Sequence, residues 1–184
     1  MPRRPRVHAP GALYHAVLRG NHREAIFHGG ADFLAFEEIL AAALARHGAR
    51  LHAYCWMTNH VHLAIQVDSA PLGRVMQLVA SRYARRKQRH IPTTGHLFER
   101  RYLARLVDSD RYLLALVRYI HLNPVRAGIA RTAERYRWSS HRAYLSQSGP
   151  PWLTLELAMS LLGRTAHQGL DGYLRLMGEA ADED

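Results

Sequence analysis

The sequence predicts an α+β fold in which helices pack on an antiparallel sheet. Three observations point there. Residues 59–67 read Asn-His-Val-His-Leu-Ala-Ile-Gln-Val, and their apolar and polar side chains alternate with the period of a half-buried strand. Residues 33–46 and 71–89 instead repeat their apolar positions at helical spacing. Segments of the two kinds follow one another as strand, helix, strand, strand, helix, strand, which is the ferredoxin-like βαββαβ order.

Taken in order, Leu13–Leu18 reads as the first strand, with Leu13, His15 and Val17 on one face. The basic turn Arg19-Gly20-Asn21-His22-Arg23 follows, where Gly20 and Asn21 tolerate left-handed backbone. Asp32 is a suitable N-cap for the first helix; Phe33, Phe36, Leu40 and Leu44 form its inner stripe, and Gly48 stops it. Leu51–Met57 is the second strand. Thr58-Asn59 is a two-residue hairpin turn that pairs Met57 with His60. In the second helix Leu72, Val75, Met76, Val79 and Tyr83 face inward, while Arg82, Arg85, Arg86, Lys87 and Arg89 crowd the last turns. Ile91–Gly95 breaks that helix. Tyr102–Val107 is the last strand, and Asp108 or Ser109 caps a third helix that Asn123-Pro124 ends or kinks. Val125–Ala130, Trp138–His141 and Leu153–Leu162 read as short helical packing elements.

The chain has 184 residues, 48% of them apolar, enough for one domain with a proper core. Lys and Arg total 25 against 15 Asp and Glu, a formal charge of +10 that favours a polyanionic partner such as nucleic acid. A single cysteine, Cys55, excludes an internal disulfide and sits in a strand as a small buried hydrophobe. No apolar run reaches membrane-spanning length and the N-terminus lacks the apolar core of a signal peptide, so the expected location is cytoplasmic, with no membrane partner.

Alternation puts His60 and His62 side by side on the polar face of their strand, where two imidazoles can share one divalent metal ion or remain a surface pair. Tyr119 and Asn123 lie one turn apart on the third helix. If that helix crosses the histidine face, a phenol, a carboxamide and two imidazoles converge. Metal-assisted attack of a tyrosine on a phosphodiester is then open. So is the plain alternative, an amphipathic tyrosine and an asparagine that caps a turn. Tyr112 is a rival nucleophile without a polar partner one turn on; Tyr102 and Tyr136 lie outside the helix. His121, on another face of the same helix, either meets DNA or is solvated.

Four blocks in order resemble a known family: Tyr-His-Ala-Val-Leu-Arg-Gly-Asn at 14–21, Tyr-Cys-Trp-Met-Thr-Asn-His-Val-His-Leu at 54–63, Tyr-Ile-His-Leu-Asn-Pro-Val-Arg-Ala-Gly at 119–128 and Trp-Ser-Ser at 138–140. Together they look like the single-tyrosine HUH transposases, in particular the REP-associated tyrosine transposases, over roughly residues 10–145. Composition sets off residues 1–11 as a basic, proline-rich arm, the resemblance implies an HUH transposase-like catalytic domain at 12–130, and residues 131–184 read as a C-terminal helical extension packed on it. It implies Tyr119 as nucleophile, and His60, His62 and Asn123 as ligands of Mg²⁺ or Mn²⁺. It further implies cleavage and rejoining of single-stranded DNA at or near hairpins through a 5′-phosphotyrosine. Charge and placement, not the motifs, nominate Arg19, Asn21 and Arg23, then Arg82, Arg85 and Arg86, as DNA contacts. A catalytically silent hairpin-binding regulator of the same fold and a metal-dependent hydrolase using water are the competing readings. A monomer is expected, with a dimer the alternative.

Overall fold

The computed structural model describes residues 8–90 and 95–178. Residues 1–7 of the expected arm, Ile91–Thr94 of the expected helix break and residues 179–184 lie outside the described residues. The strands are β1 (Leu13–Arg19), β2 (Arg50–Met57), β3 (His60–Gln66) and β4 (Leu103–Val107). They form one antiparallel sheet in the order β2-β3-β1-β4. Helices α1 (Gly30–His47) and α2 (Leu72–His90) cover one face; α3 (Asp110–Arg126) crosses the other, joined there by the later helices. The ferredoxin-like order and the antiparallel sheet match the sequence reading.

The face under α1 and α2 is a dry aromatic core, built from the side chains that alternation points inward. Val61, Leu63 and Ile65 of β3, Tyr54 and Trp56 of β2, and Ala16 and Leu18 of β1 pack against Phe36, Leu40, Val75, Val79 and Tyr83. The opposite face carries Leu13, Ala53, Cys55, Met57 and Ala64 under Leu113, Leu116, Val117 and Ile120 of α3. At its open end it also carries the histidines. Met57 pairs with His60 across Thr58-Asn59, so the hairpin fixes their register as expected.

Several local readings need correction. The N-cap of α1 is Gly29, and Asp32 sits inside the first turn. There its carboxylate accepts from the His28 N–H and from Lys87 Nζ, both at 2.8 Å, so it serves the helix end from within and holds α2 as well. Lys87 is consequently buried in an ion pair and is no part of a basic surface. The left-handed residues of the first loop are His22 (φ 50°) and Arg23 (φ 61°), not Gly20 or Asn21. Gly20 (φ −61°) is needed for space, since a Cβ there would lie 2.2 Å from the Glu24 carbonyl oxygen. Pro124 does not end α3, which runs on to Arg126 before a turn through Gly128 (φ 68°). A proline so near a helix end removes only a late hydrogen bond.

The C-terminal part differs most from expectation. Trp138–Ser140 is a turn that touches β2 through a single bridge, and the helix begins only at His141: the Trp56 N–H donates to the Trp138 carbonyl, the Ser140 N–H donates to the Tyr54 carbonyl, and Cys55 bridges Ser139. Leu51 makes a second, parallel bridge to Leu153. These two straps cover the outer edge of β2, which would otherwise present unpaired backbone groups. The helices beyond are α4 (His141–Ser146), α5 (Glu156–Leu162, starting later than read) and α6 (Ala166–Gly178), the last inside the expected helical extension but not read there as an element of its own.

Candidate nuclease site

The site is assembled on the α3 face at the end of the sheet where β1 finishes and β3 begins. Antiparallel register places Arg19 opposite His60 and Val17 opposite His62, with His15 one step further along the same face of β1. His60 and His62 lie with ring centroids 4.8 Å apart. His15 stacks on His62 at 5.2 Å, and its Nε2 is 2.9 Å from His62 Nδ1. His60 Nδ1 lies 2.6 Å from Asn59 Oδ1, and Asn59 Nδ2 donates to the Arg23 carbonyl at 2.8 Å.

Tyr119 reaches this cluster from α3. Ser109 caps that helix by accepting from the Tyr112 N–H, and the buried stripe of Leu113, Leu116, Val117 and Ile120 fixes its roll. The Tyr119 ring then stands edge-on to His62 at 5.4 Å and to His15 at 5.8 Å, and remains 36% exposed. Arg126, two turns on, places its guanidinium 5.6 Å from the Tyr119 ring centroid. Tyr112 lies under Arg105 instead. Asn123, half-buried one turn after Tyr119, sends its backbone carbonyl to the Ala127 N–H.

Electrostatics keep these imidazoles neutral. Burial, assisted by the Arg19 charge, pulls His60 down to about 4; burial and then the neighbouring His60, His15 and Arg19 pull His62 to about 2. His15 falls to about 4 through burial and Arg105. Neutral imidazole is the form that binds metal. Among the described residues no three His, Cys, Asp or Glu side chains gather as a metal site. A cation here would therefore rest on the two imidazoles and an oxygen donor of another kind, such as a carboxamide. Among the described residues His62 Nε2 is buried with no hydrogen-bond partner, an orphaned ring nitrogen that a cation could satisfy, so the residues fit a metal.

The remaining sequence nominations separate. Arg19 shares the histidine face, and Asn21 and Arg23 sit in the loop directly above it. Arg82, Arg85 and Arg86 are exposed on α2, across the sheet from Tyr119. They nevertheless lie near the same end, because Tyr83 donates to the Ile26 carbonyl of the first loop. On that same far side a cavity of about 840 Å³ opens between α2 and residues 96–102, with Arg74, Arg100, Arg101, Phe98 and Tyr102 in its wall. Sequence reading missed it, since those residues converge only through the crossover from α2 to β4.

His121 is corrected outright: it neither faces DNA nor solvent but is fully buried. Its Nε2 hydrogen-bonds with Ser140 Oγ and its Nδ1 with the Tyr173 hydroxyl, both at 2.7 Å. That hydroxyl also meets His141 Nδ1, and His141 Nε2 approaches Glu134. This chain ties α3 to α6 and to the strap on β2. Its partners, Ser140, His141 and Tyr173, are far apart in sequence from His121, and no local pattern signals their meeting.

A sequence model described as IS200-like transposase matches residues 9–123, well over half of the chain and spanning every nominated residue from Arg19 to Asn123. The chain belongs to the IS200-like transposase family. Among solved structures, this IS200-like transposase is similar to a REP-associated tyrosine transposase bound to a REP hairpin, with TM-score 0.69 at 11% identity, over 84% of this chain and 92% of that one. At that identity the likeness speaks for the fold alone. A proposed transposase from Deinococcus radiodurans R1 aligns over 62% of this chain and 92% of its own at 19% identity, with TM-score 0.45, too low to carry weight. No curated protein sequence matches. The family resemblance read from the four blocks is thus borne out. No helix among the described residues is long and apolar enough to cross a membrane.

Proposed function

We propose that this transposase-family chain is a metal-dependent single-stranded DNA endonuclease and strand transferase that cleaves at or near hairpin elements. The observation that carries the reading is the approach of Tyr119 to His62, an imidazole whose outward nitrogen is buried and unpartnered. Tyr119 is the nucleophile: its oxygen gives up a proton and bonds to phosphorus. The bond from phosphorus to the 3′ oxygen breaks, and that oxygen leaves as a hydroxyl. The product is a 5′-phosphotyrosyl end and a free 3′-hydroxyl, and attack by a 3′-hydroxyl reverses the step without an energy source. His60, His62 and Asn123 would hold Mg²⁺ or Mn²⁺. Bound there, the cation supplies charge stabilisation at the phosphoryl oxygens. Arg126 beside the ring and Arg19 opposite His60 add positive charge where negative charge develops.

Hairpin DNA is the proposed substrate because the REP-associated relative holds one and because the net charge of +10 favours a polyanion. Arg19, Asn21 and Arg23 would contact the cleaved strand; Arg82, Arg85 and Arg86 would contact DNA passing over the end of the sheet. The covered β2 edge supports a monomer, and the cytoplasm is the proposed location.

The test is incubation with labelled single-stranded hairpin DNA and Mg²⁺ or Mn²⁺, followed by denaturing electrophoresis. The expected result is a denaturant-resistant protein–DNA adduct that disappears in Tyr119→Phe and in His60→Ala. Binding without cleavage would establish the silent regulator instead. Cleavage that survives Tyr119→Phe and leaves no adduct would mean that water attacks.

A further inference from the structure

Each proposed metal-ligating imidazole has its inner nitrogen occupied by a side chain that the mechanism does not use. Asn59 decides the case at His60. Its amide nitrogen donates to the Arg23 carbonyl at 2.8 Å, so the amide oxygen is the atom left facing His60, 2.6 Å away. That oxygen only accepts, and the hydrogen between the two groups must belong to His60 Nδ1. In a neutral ring Nε2 is then the bare lone pair.

His15 plays the matching part at His62. Two ring nitrogens 2.9 Å apart share one hydrogen, and the free end of His62, Nε2, is buried without a donor or acceptor beside it. A buried N–H with no acceptor is costly, whereas a lone pair directed at a cation site is the ordinary state of a metal ligand. The hydrogen therefore lies on His62 Nδ1 and His15 Nε2 accepts it. A carboxylate in place of His15 would bury a charge in the site; an imidazole accepts while remaining neutral. His15 also stacks on His62 with an interplanar angle of 25°, which holds the ring against rotation.

We propose that Asn59 and His15 are positioning residues that lock His60 and His62 in the tautomer with Nε2 unprotonated, presenting both lone pairs to one divalent cation. The metal half of this and the choice of tautomer at His62 rest on the functional reading above; the tautomer at His60 does not. The carbonyl that holds the Asn59 amide belongs to Arg23, a residue with left-handed backbone (φ 61°).

Two measurements on the full chain test it. Imidazole ¹⁵N correlation spectra of the metal-free protein should show His60 and His62 as Nδ1–H tautomers; an Nε2–H tautomer at either would overturn the lock. Mn²⁺ titration followed by electron paramagnetic resonance gives the affinity. His15→Phe keeps an aromatic ring but removes the acceptor and should weaken Mn²⁺ by about 10- to 100-fold, as removal of a ligand's supporting hydrogen bond does. His15→Gln, which restores an acceptor oxygen, should recover most of that affinity, and Asn59→Ala should resemble His15→Phe. Equal Mn²⁺ affinity in folded His15→Phe and wild type would overturn the role of His15 and leave the adduct assay untouched. Absence of Mn²⁺ binding to wild type would overturn the metal half together with the functional reading, while the spectra would still decide the tautomers.

Discussion

The two faces of the sheet use the same strands for opposite ends. Under α1 and α2 the inward residues are large, aromatic and dry: Phe27 stacks on Phe33, Phe33 on Trp138, and Tyr54 on Trp56, all with centroids 4.3–4.4 Å apart. Its charged groups are each paired: Lys87 is buried against Asp32 at the rim, and the half-buried Glu37 accepts from the Trp56 indole. Under α3 the same alternation presents His15, His60 and His62, and the helix above adds His121, tied through Tyr173 to His141. Buried histidines cost folding free energy, because each imidazole must be held neutral and hydrogen-bonded. The first face thus specifies and stabilises the fold, and the second gives up stability for a site that Tyr119 can reach.

The sharpest way to break this division is to damage the dry face. Trp56 is fully buried and donates its indole N–H to Glu37 at 3.0 Å. Trp56→Ala should cost about 3–5 kcal/mol in a denaturant titration, enough to threaten the fold, whereas Tyr119→Phe should leave stability within about 0.5 kcal/mol while abolishing the adduct. A large drop in stability in Tyr119→Phe would contradict the separation. Tyr173→Phe comes next. Its hydroxyl is the shared partner of His121 and His141, so its removal strands two buried ring nitrogens and should cost about 1–3 kcal/mol by the same titration. A neutral result there would mean that α6 does not brace α3.

Acid should find the second face first. Burial holds His15 and His60 to about 4, and also holds His121 and His141 below the ordinary imidazole value. Folded-state values beneath about 6.5 mean that the unfolded chain takes up protons first, so stability falls as pH drops below that value, and continues to fall towards 4. In hydrogen exchange, moving from pH 7 to pH 5 should raise the opening equilibrium of α3 and α6, after correction for intrinsic rates, on the order of tenfold more than that of α1 and α2. Uniform loosening of both layers would remove the basis for assigning the histidine burden to one face.

How legible each face was follows from range. The dry face is written in short-range periodicity: Val61, Leu63 and Ile65 alternate, Phe36 and Leu40 recur at helical spacing, and the hairpin turn at Thr58-Asn59 sets the register between β2 and β3. His60 and His62 were visible for the same reason. That Tyr119 would come to them depended on α3 crossing that face, which periodicity leaves open and the family blocks suggested. His121 was misread because a polar residue on a helix looks solvated until α6 and Ser140, from distant sequence, close over it. Asp32 looked like a cap because Gly29 and Gly30 carry no side-chain signal of their own. His15 was placed on the right face, but its partner is decided by a diagonal contact across two strands that no single stretch of sequence encodes.

The smallest expected effect concerns the arginines that face away from the site. Arg82, Arg85 and Arg86 line a shallow groove beside Ile39 of α1, on the outside of the dry face. Replacing all three with Ala leaves the core packing intact and should hold stability within about 0.5 kcal/mol. If DNA wraps over the end of the sheet, hairpin affinity should fall several-fold. The slope of log K against log salt should also become shallower by about one for each phosphate no longer neutralised. The yield of adduct at saturating DNA should not change, since these side chains sit across the sheet from Tyr119. Arg19→Ala, on the histidine face, should reduce both affinity and adduct yield. An equal fall in adduct for both variants would mean that the far arginines help to place the cleaved bond, and the two faces would then share the chemistry.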